Sequence, residues 1–207
     1  MLYLFAPTRS VNLGAQTIME IVATALNGVL VLKPRVFEDR RGFFLESYSR
    51  KALAELGVDV PFVQDNHSRS VRGTVRGLHF QSSPGQGKLL RVGAGRIFDV
   101  AVDLRHGSPT YGQWFGQELS ADNFLQIYVP VGFAHGFCVL SDYADLLYKC
   151  TSLYDTQTER GVAWNDPAIG VAWPVDEPIL SDRDQVLPML HELPQYFVYN
   201  QEVGNTE

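Results

Sequence analysis

The chain has 207 residues, 45% of them hydrophobic and 19% charged, with a formal charge of −6. That length suits one domain with a substantial core, and the composition excludes wholesale disorder. A net acidic chain lacks the dominant basic surface of a nucleic-acid binder, so nucleic acid is excluded as a partner. The mean hides an asymmetry: residues 33–105 hold 13 of the 17 Lys and Arg but only 8 of the 23 Asp and Glu. A basic segment of that kind serves a small anionic ligand or is merely a solvated face; composition leaves both open.

Residues 1–18 lack the basic start and small-residue cleavage site of a secretory signal. They are read as a non-native or misassigned extension, with Met19 an alternative start and residues 19–207 the domain. The longest apolar run, residues 21–32, is broken by Asn27 and Gly28 and falls short of a membrane span. The expectation is a cytoplasmic protein with no membrane partner.

From there, short apolar stretches follow one another at residues 28–33, 43–48, 62–68, 74–81, 88–92, 96–104, 113–119, 125–130, 135–140 and 145–150. Turn chemistry separates them, as at Ser83-Pro84-Gly85, Gly107-Ser108-Pro109 and Val131-Gly132. In residues 96–104, Phe98, Val100, Val102 and Leu104 take one face while Asp99 and Asp103 take the other, which is strand periodicity. One helix is predicted, capped by Ser49, carrying Leu53 and Leu56 on one face and stopped by Gly57. Some ten strands with sparse helices predict an all-β sandwich or jelly roll, followed from about residue 151 by a looser C-terminal extension. Cys138 and Cys150 sit in apolar runs, as two buried thiols or as an inter-strand disulfide.

Several polar residues stand where a core strand has no use for them. In residues 62–68, alternation puts Gln64, Asn66 and Ser68 on one face with Phe62, as at a cavity mouth or on an edge strand facing solvent. Arg76 and His79 are three apart, so a strict strand would send them to opposite faces. Gly77 between them permits a bulge that re-aims one side chain. Lys88 opens the next strand, within reach of the same cavity.

Pro130, Gly132 and His135 have the P-x-G-x-x-H spacing of cupin barrels, in which Pro and Gly set a turn and His points inward. Metal-binding cupins pair that motif with H-x-H and a Glu on an earlier strand. Here the matching place reads His79-Phe80-Gln81, with Gln86 near the expected Glu. Two histidines with amide neighbours are a poor divalent-metal site, so no metal is expected.

A series of longer motifs then carries a specific resemblance. FEDRRGFFLES (37–47), QDNHSRS (64–70), RGLHFQ (76–81), GKLLRV (87–92), FDVAVDLRHGSPTYGQW (98–114), PVGFAHGF (130–137), LLYK (146–149), WNDP (164–167) and LSDRD (180–184) follow in order with few gaps. Together they resemble the dTDP-4-dehydrorhamnose 3,5-epimerase family. The resemblance implies a cupin-type jelly roll, a homodimer and a cofactor-free epimerase acting on a dTDP-4-keto-6-deoxyhexose. It implies His79 as catalytic base, Asp184 as its carboxylate partner, Lys88 beside the substrate carbonyl and Tyr148 as the acid. It also implies substrate contacts at Phe37, Arg41, Glu46, Gln64, Asn66, Arg76, His135, Tyr154, Trp164 and Arg183. Arg183 stands where many members carry Lys, keeping the charge while changing the phosphate contact.

These residue types match that chemistry. Epimerisation beside a ketone removes a proton alpha to the carbonyl and returns one from the other face. A neutral imidazole suits the first step, a carboxylate on its other nitrogen fixes the tautomer, and a cation stabilises the enolate. His79 and Asp184 are 105 positions apart, so only the fold can bring them together. The competing readings are a C3-only or C5-only epimerase, a metal-dependent cupin enzyme and a non-catalytic sugar-binding jelly roll.

Overall fold

Period-two alternation produces strands over nearly half of residues 17–200, which are the residues described in the computed structural model. Residues 1–16 of the expected extension lie outside the described residues. In chain order the elements are β1 Met19–Ala25, β2 Val29–Pro34, β3 Val36–Asp39, β4 Gly42–Leu45, α1 Arg50–Glu55, β5 Gln64–Val71, β6 Val75–Gln81, β7 Lys88–Ala94, β8 Arg96–Asp103, β9 Arg105–His106, β10 Trp114–Ser120, β11 Gln126–Val129, β12 Phe133–Val139, β13 Tyr143–Cys150, β14 Glu159–Gly161 and β15 Phe197–Val198. One sheet runs β1-β2-β11-β7-β13-β5 and the other β10-β8-β12-β6-β14, each antiparallel. Stacked face to face, they make a cupin-type jelly roll.

The two sheets bury three apolar layers rather than one. Between them lie Val29, Leu90, Ile127 and Leu146 from the first sheet and Ile97, Ala101, Phe133 and Phe137 from the second. Helix α1 covers the outer face of the first sheet, seating Leu53 among Met19, Leu32 and Leu89. Ser49 caps it by accepting from the Ala52 N–H at 3.4 Å, and Gly57 leaves it at φ +89°. The segment after β13 covers the outer face of the second sheet. There Val162, Ile169, Leu190, Trp173 and Tyr196 pack on Leu78, Phe80, Val100 and Val102.

This covering corrects one expectation. The looser extension after residue 151 is a fitted cover, pinned where Ile179 N–H donates to the Gly73 carbonyl at 2.9 Å and its own carbonyl accepts from Val75 N–H at 3.0 Å. On β8, Asp99 and Asp103 share the inter-sheet face with Ile97 and Ala101, and both carboxylates are fully enclosed. Asp103 is satisfied there by Arg105, Ser108 and Thr110 at 2.6–2.9 Å. Phe62 is corrected as well. It precedes β5 and packs edge-on against Tyr48 and Tyr128 in the outer layer, not on the Gln64–Asn66 face. The strand expected at 43–48 stops at Leu45, and Cys138 and Cys150 are free buried thiols.

Candidate active site

A cavity of about 620 Å³ opens between the sheets where β5 and β13 face β6 and β12. Its walls hold His79, Lys88, His135, Tyr148, Asp184, Arg76 and Arg183. Every one of these was singled out in the sequence, and the fold gathers them from five separate segments.

The bulge at Gly77 makes the gathering possible. His135 of β12 pairs with His79 of β6, yet Phe137 pairs with Arg76, so two steps on one strand face three on the other. Arg76 and His79 thereby line one cavity. Gly77 has φ +116°, and a Cβ there would lie 2.7 Å from both the Gly136 Cα and the His135 carbonyl oxygen. Gly77→Ala is expected to destabilise the protein by about 3 kcal/mol, lowering the melting temperature by roughly 10 °C in a thermal melt.

His79 Nε2 and Asp184 Oδ1 are 2.6 Å apart. Asp184 opens a one-turn 3-10 helix, Asp184–Val186, in the C-terminal cover and is 3% exposed. Burial pushes its carboxyl up, but the His79 hydrogen bond and charge, with smaller help from Ser181 and the Gly77 backbone, hold it below the usual carboxylate range. An ionised Asp184 accepts Nε2–H, which leaves Nδ1 of a neutral His79 with the lone pair.

Lys88 and Tyr148 come from the opposite sheet. Lys88 is half-buried, and among the described residues its ammonium makes no hydrogen bond or ion pair. Burial pushes it below the ordinary lysine value, while Cys150, Glu159 and Asp99 push it back up. Burial likewise raises the Tyr148 phenol, so it stays protonated and able to donate. His135 is buried, with Nε2 at 2.7 Å from Asp99 Oδ2. Arg76 is steadied by Ser70 Oγ at 3.0 Å.

The other expected contacts lie outside this cavity. Gln64 and Asn66 bond to each other at 3.0 Å, and the Tyr154 N–H donates to Gln64 Oε1 at 2.8 Å. Tyr154 is exposed and its hydroxyl donates to Glu159 at 2.7 Å. The Trp164 carbonyl accepts from Trp173 Nε1 at 2.7 Å. Phe37, Arg41 and Glu46 sit exposed on or beside the β3–β4 hairpin, with Arg41 forked onto Asp39. Gln81 and Gln86, where metal-binding cupins place ligands, instead anchor the backbone of residues 152–155. Among the described residues no three His, Cys, Asp or Glu side chains gather as a metal site.

Two carboxylates were missed in the sequence. Glu159 lines the cavity and holds Arg183 as well as Tyr154. Asp99 holds His135. Its signal was present, an acid at an inward position of an apolar strand, but the alternation alone gave no sign that both faces of β8 are covered.

The geometry offers an imidazole held by a carboxylate, an unpaired ammonium and a neutral phenol on facing walls, groups whose chemistry suits moving protons at carbon beside a carbonyl. Comparison with known proteins points the same way. Residues 23–192 match the model of a family described as dTDP-4-dehydrorhamnose 3,5-epimerase. An enzyme of that name from Pseudomonas aeruginosa is 54% identical over 169 residues, 81% of this chain and 93% of that protein. A solved dTDP-6-deoxy-D-glucose-3,5-epimerase from Legionella pneumophila, in complex with dTDP-4-keto-L-rhamnose, superposes with a TM-score of 0.85 at 45% identity, covering 88% of this chain and 99% of that one. A dTDP-4-dehydrorhamnose 3-epimerase from Streptomyces niveus is 43% identical over 84% of this chain and 85% of that protein.

Proposed function

The chain belongs to the dTDP-4-dehydrorhamnose 3,5-epimerase family, and from that premise we propose how its residues work. It converts dTDP-4-dehydro-6-deoxy-D-glucose to dTDP-4-dehydro-L-rhamnose by inverting C3 and C5. The observation that carries the reading is the His79–Asp184 pair facing Tyr148 across a cavity that also holds an unpaired Lys88.

His79 Nδ1 takes the proton alpha to the C4 ketone, and Asp184 stabilises the imidazolium that forms. Electron density moves onto the ketone oxygen, where the Lys88 ammonium meets it. Tyr148, on the facing sheet, returns a proton to the opposite side of the carbon. Once the imidazolium has released its proton to solvent and the phenolate has regained one, a second cycle at the other alpha carbon uses the same groups, because both carbons flank one carbonyl. Arg76 and Arg183 supply cations for the diphosphate. No step calls for a cofactor.

The remaining contacts fit a homodimer. Phe37, Phe43 and Phe44 are 46%, 60% and 69% exposed on the β3–β4 hairpin, an apolar tip that solvent does not favour. A second copy receiving this hairpin would bring Phe37, Arg41 and Glu46 to its own cavity. Gln64, Asn66, Tyr154 and Trp164 complete the set around the mouth, and a cytoplasmic setting accompanies the reading.

The test is solvent exchange. In heavy water with the 4-keto sugar, the protein is expected to place deuterium at both C3 and C5, read by NMR of the product. Exchange at one carbon only would assign it instead to single-carbon epimerisation, the activity named for the Streptomyces niveus relative.

A further inference from the structure

Among the described residues, one buried side-chain polar atom has no hydrogen-bond partner: Oδ1 of Asp99. Asp99 is fully enclosed within the barrel, on β8 between β10 and β12, and its other oxygen holds His135 Nε2 at 2.7 Å. A carboxylate in that position is costly, and a barrel built only for stability would place an apolar residue there.

The placement of His135 explains what the cost supports. His135 and His79 are directly paired residues on the adjacent antiparallel strands β12 and β6. Their side chains rise together from one sheet face into one cavity. Each ring gives its Nε2 to a carboxylate, His79 to Asp184 on the C-terminal cover and His135 to Asp99 on β8. The cavity therefore contains two imidazoles side by side, each held by its own acid.

We propose that Asp99 is a positioning residue for the reaction: it fixes His135 with Nε2–H bound, so that Nδ1 accepts a hydroxyl of the hexose beside the base. The proposal rests on the epimerase reading and extends it. Two carbons must be deprotonated by one base, so the sugar ring must be held steady next to His79 through both cycles. An anchored acceptor one strand away supplies that restraint. Asp99 also contributes negative charge toward Lys88, opposing the effect of burial there.

Two measurements decide it. Long-range proton–nitrogen NMR of the wild-type protein at about pH 8, above the ordinary imidazole range, is expected to show His135 protonated at Nε2 and bare at Nδ1. This arm needs no turnover, and a proton on Nδ1 overturns the proposal. In the second, Asp99→Asn keeps the shape but lets an amide N–H face Nε2 and select the other tautomer. Turnover is expected to fall about 10- to 100-fold with little change in KM. Asp99→Asn added to His135→Asn is expected to cost nothing further, because the acid acts through the ring. Asp99→Asn at the wild-type rate, or losses that multiply in the double variant, overturns the assignment. Absence of exchange by the wild-type protein in that assay would instead strike the epimerase reading.

Discussion

Replacing His79 with Asn is expected to reduce turnover on the order of 10³-fold and to abolish deuterium incorporation at both C3 and C5. The substitution removes the only atom of that ring left to take a proton, since Nε2 is committed to Asp184 at 2.6 Å. It should do so without unfolding the protein. Asp184 keeps Ser181 and the Gly77 backbone as hydrogen-bond partners when the ring is removed, so the enclosed carboxylate is not orphaned. The melting temperature is therefore expected to stay within about 3 °C of the wild type. Exchange that persists at either carbon would remove His79 from the role of base.

Lys88→Met separates activity from stability in the other direction. Loss of the ammonium is expected to lower turnover about 10²- to 10³-fold, the usual effect of removing one donor aimed at a developing oxyanion. Stability should hold or rise, because the methionine stem fills similar space and no longer confines an unpaired cation in a half-buried position. The pH dependence has a definite sign. The protonated amine is the active form, and burial pushes its pKa below the ordinary lysine value. The alkaline limb of the wild-type rate should thus fall away at lower pH than about 10.4, the value for a free lysine. In the methionine variant the residual rate should lack that limb. A limb that survives the substitution would belong to a different group.

Much of this was legible in the sequence because alternation and spacing are local properties. The strands of the two sheets between Val29 and Cys150, the Ser49 cap and the bulge at Gly77 all follow from neighbours within a few residues, whereas β1 and β14 were not anticipated. What local pattern could not show was which face would be covered. Phe98 and Val100 alternate with Asp99 as an ordinary half-exposed strand would, yet Trp173 and Ile169, some seventy positions later, close the outer face. Phe62 was misplaced for a related reason. Its partners Tyr48 and Tyr128 lie outside the alternation that was extrapolated to it. The site was legible where the family motifs named single residues. It was not legible where no motif named the residue, as with Glu159 on Arg183 and Tyr154, or where Phe37, Arg41 and Glu46 stand away from the cavity of their own chain.

The pinning of residue 179 to the start of β6 has a consequence for the order in which this protein becomes an enzyme. Every strand of the two large sheets is complete by Gly161, but the carboxylate that holds the His79 ring arrives only with Asp184. During synthesis all strands of both sheets are therefore made before the residue that holds the His79 ring. On the proposed mechanism, competence waits for the last part of the cover to dock.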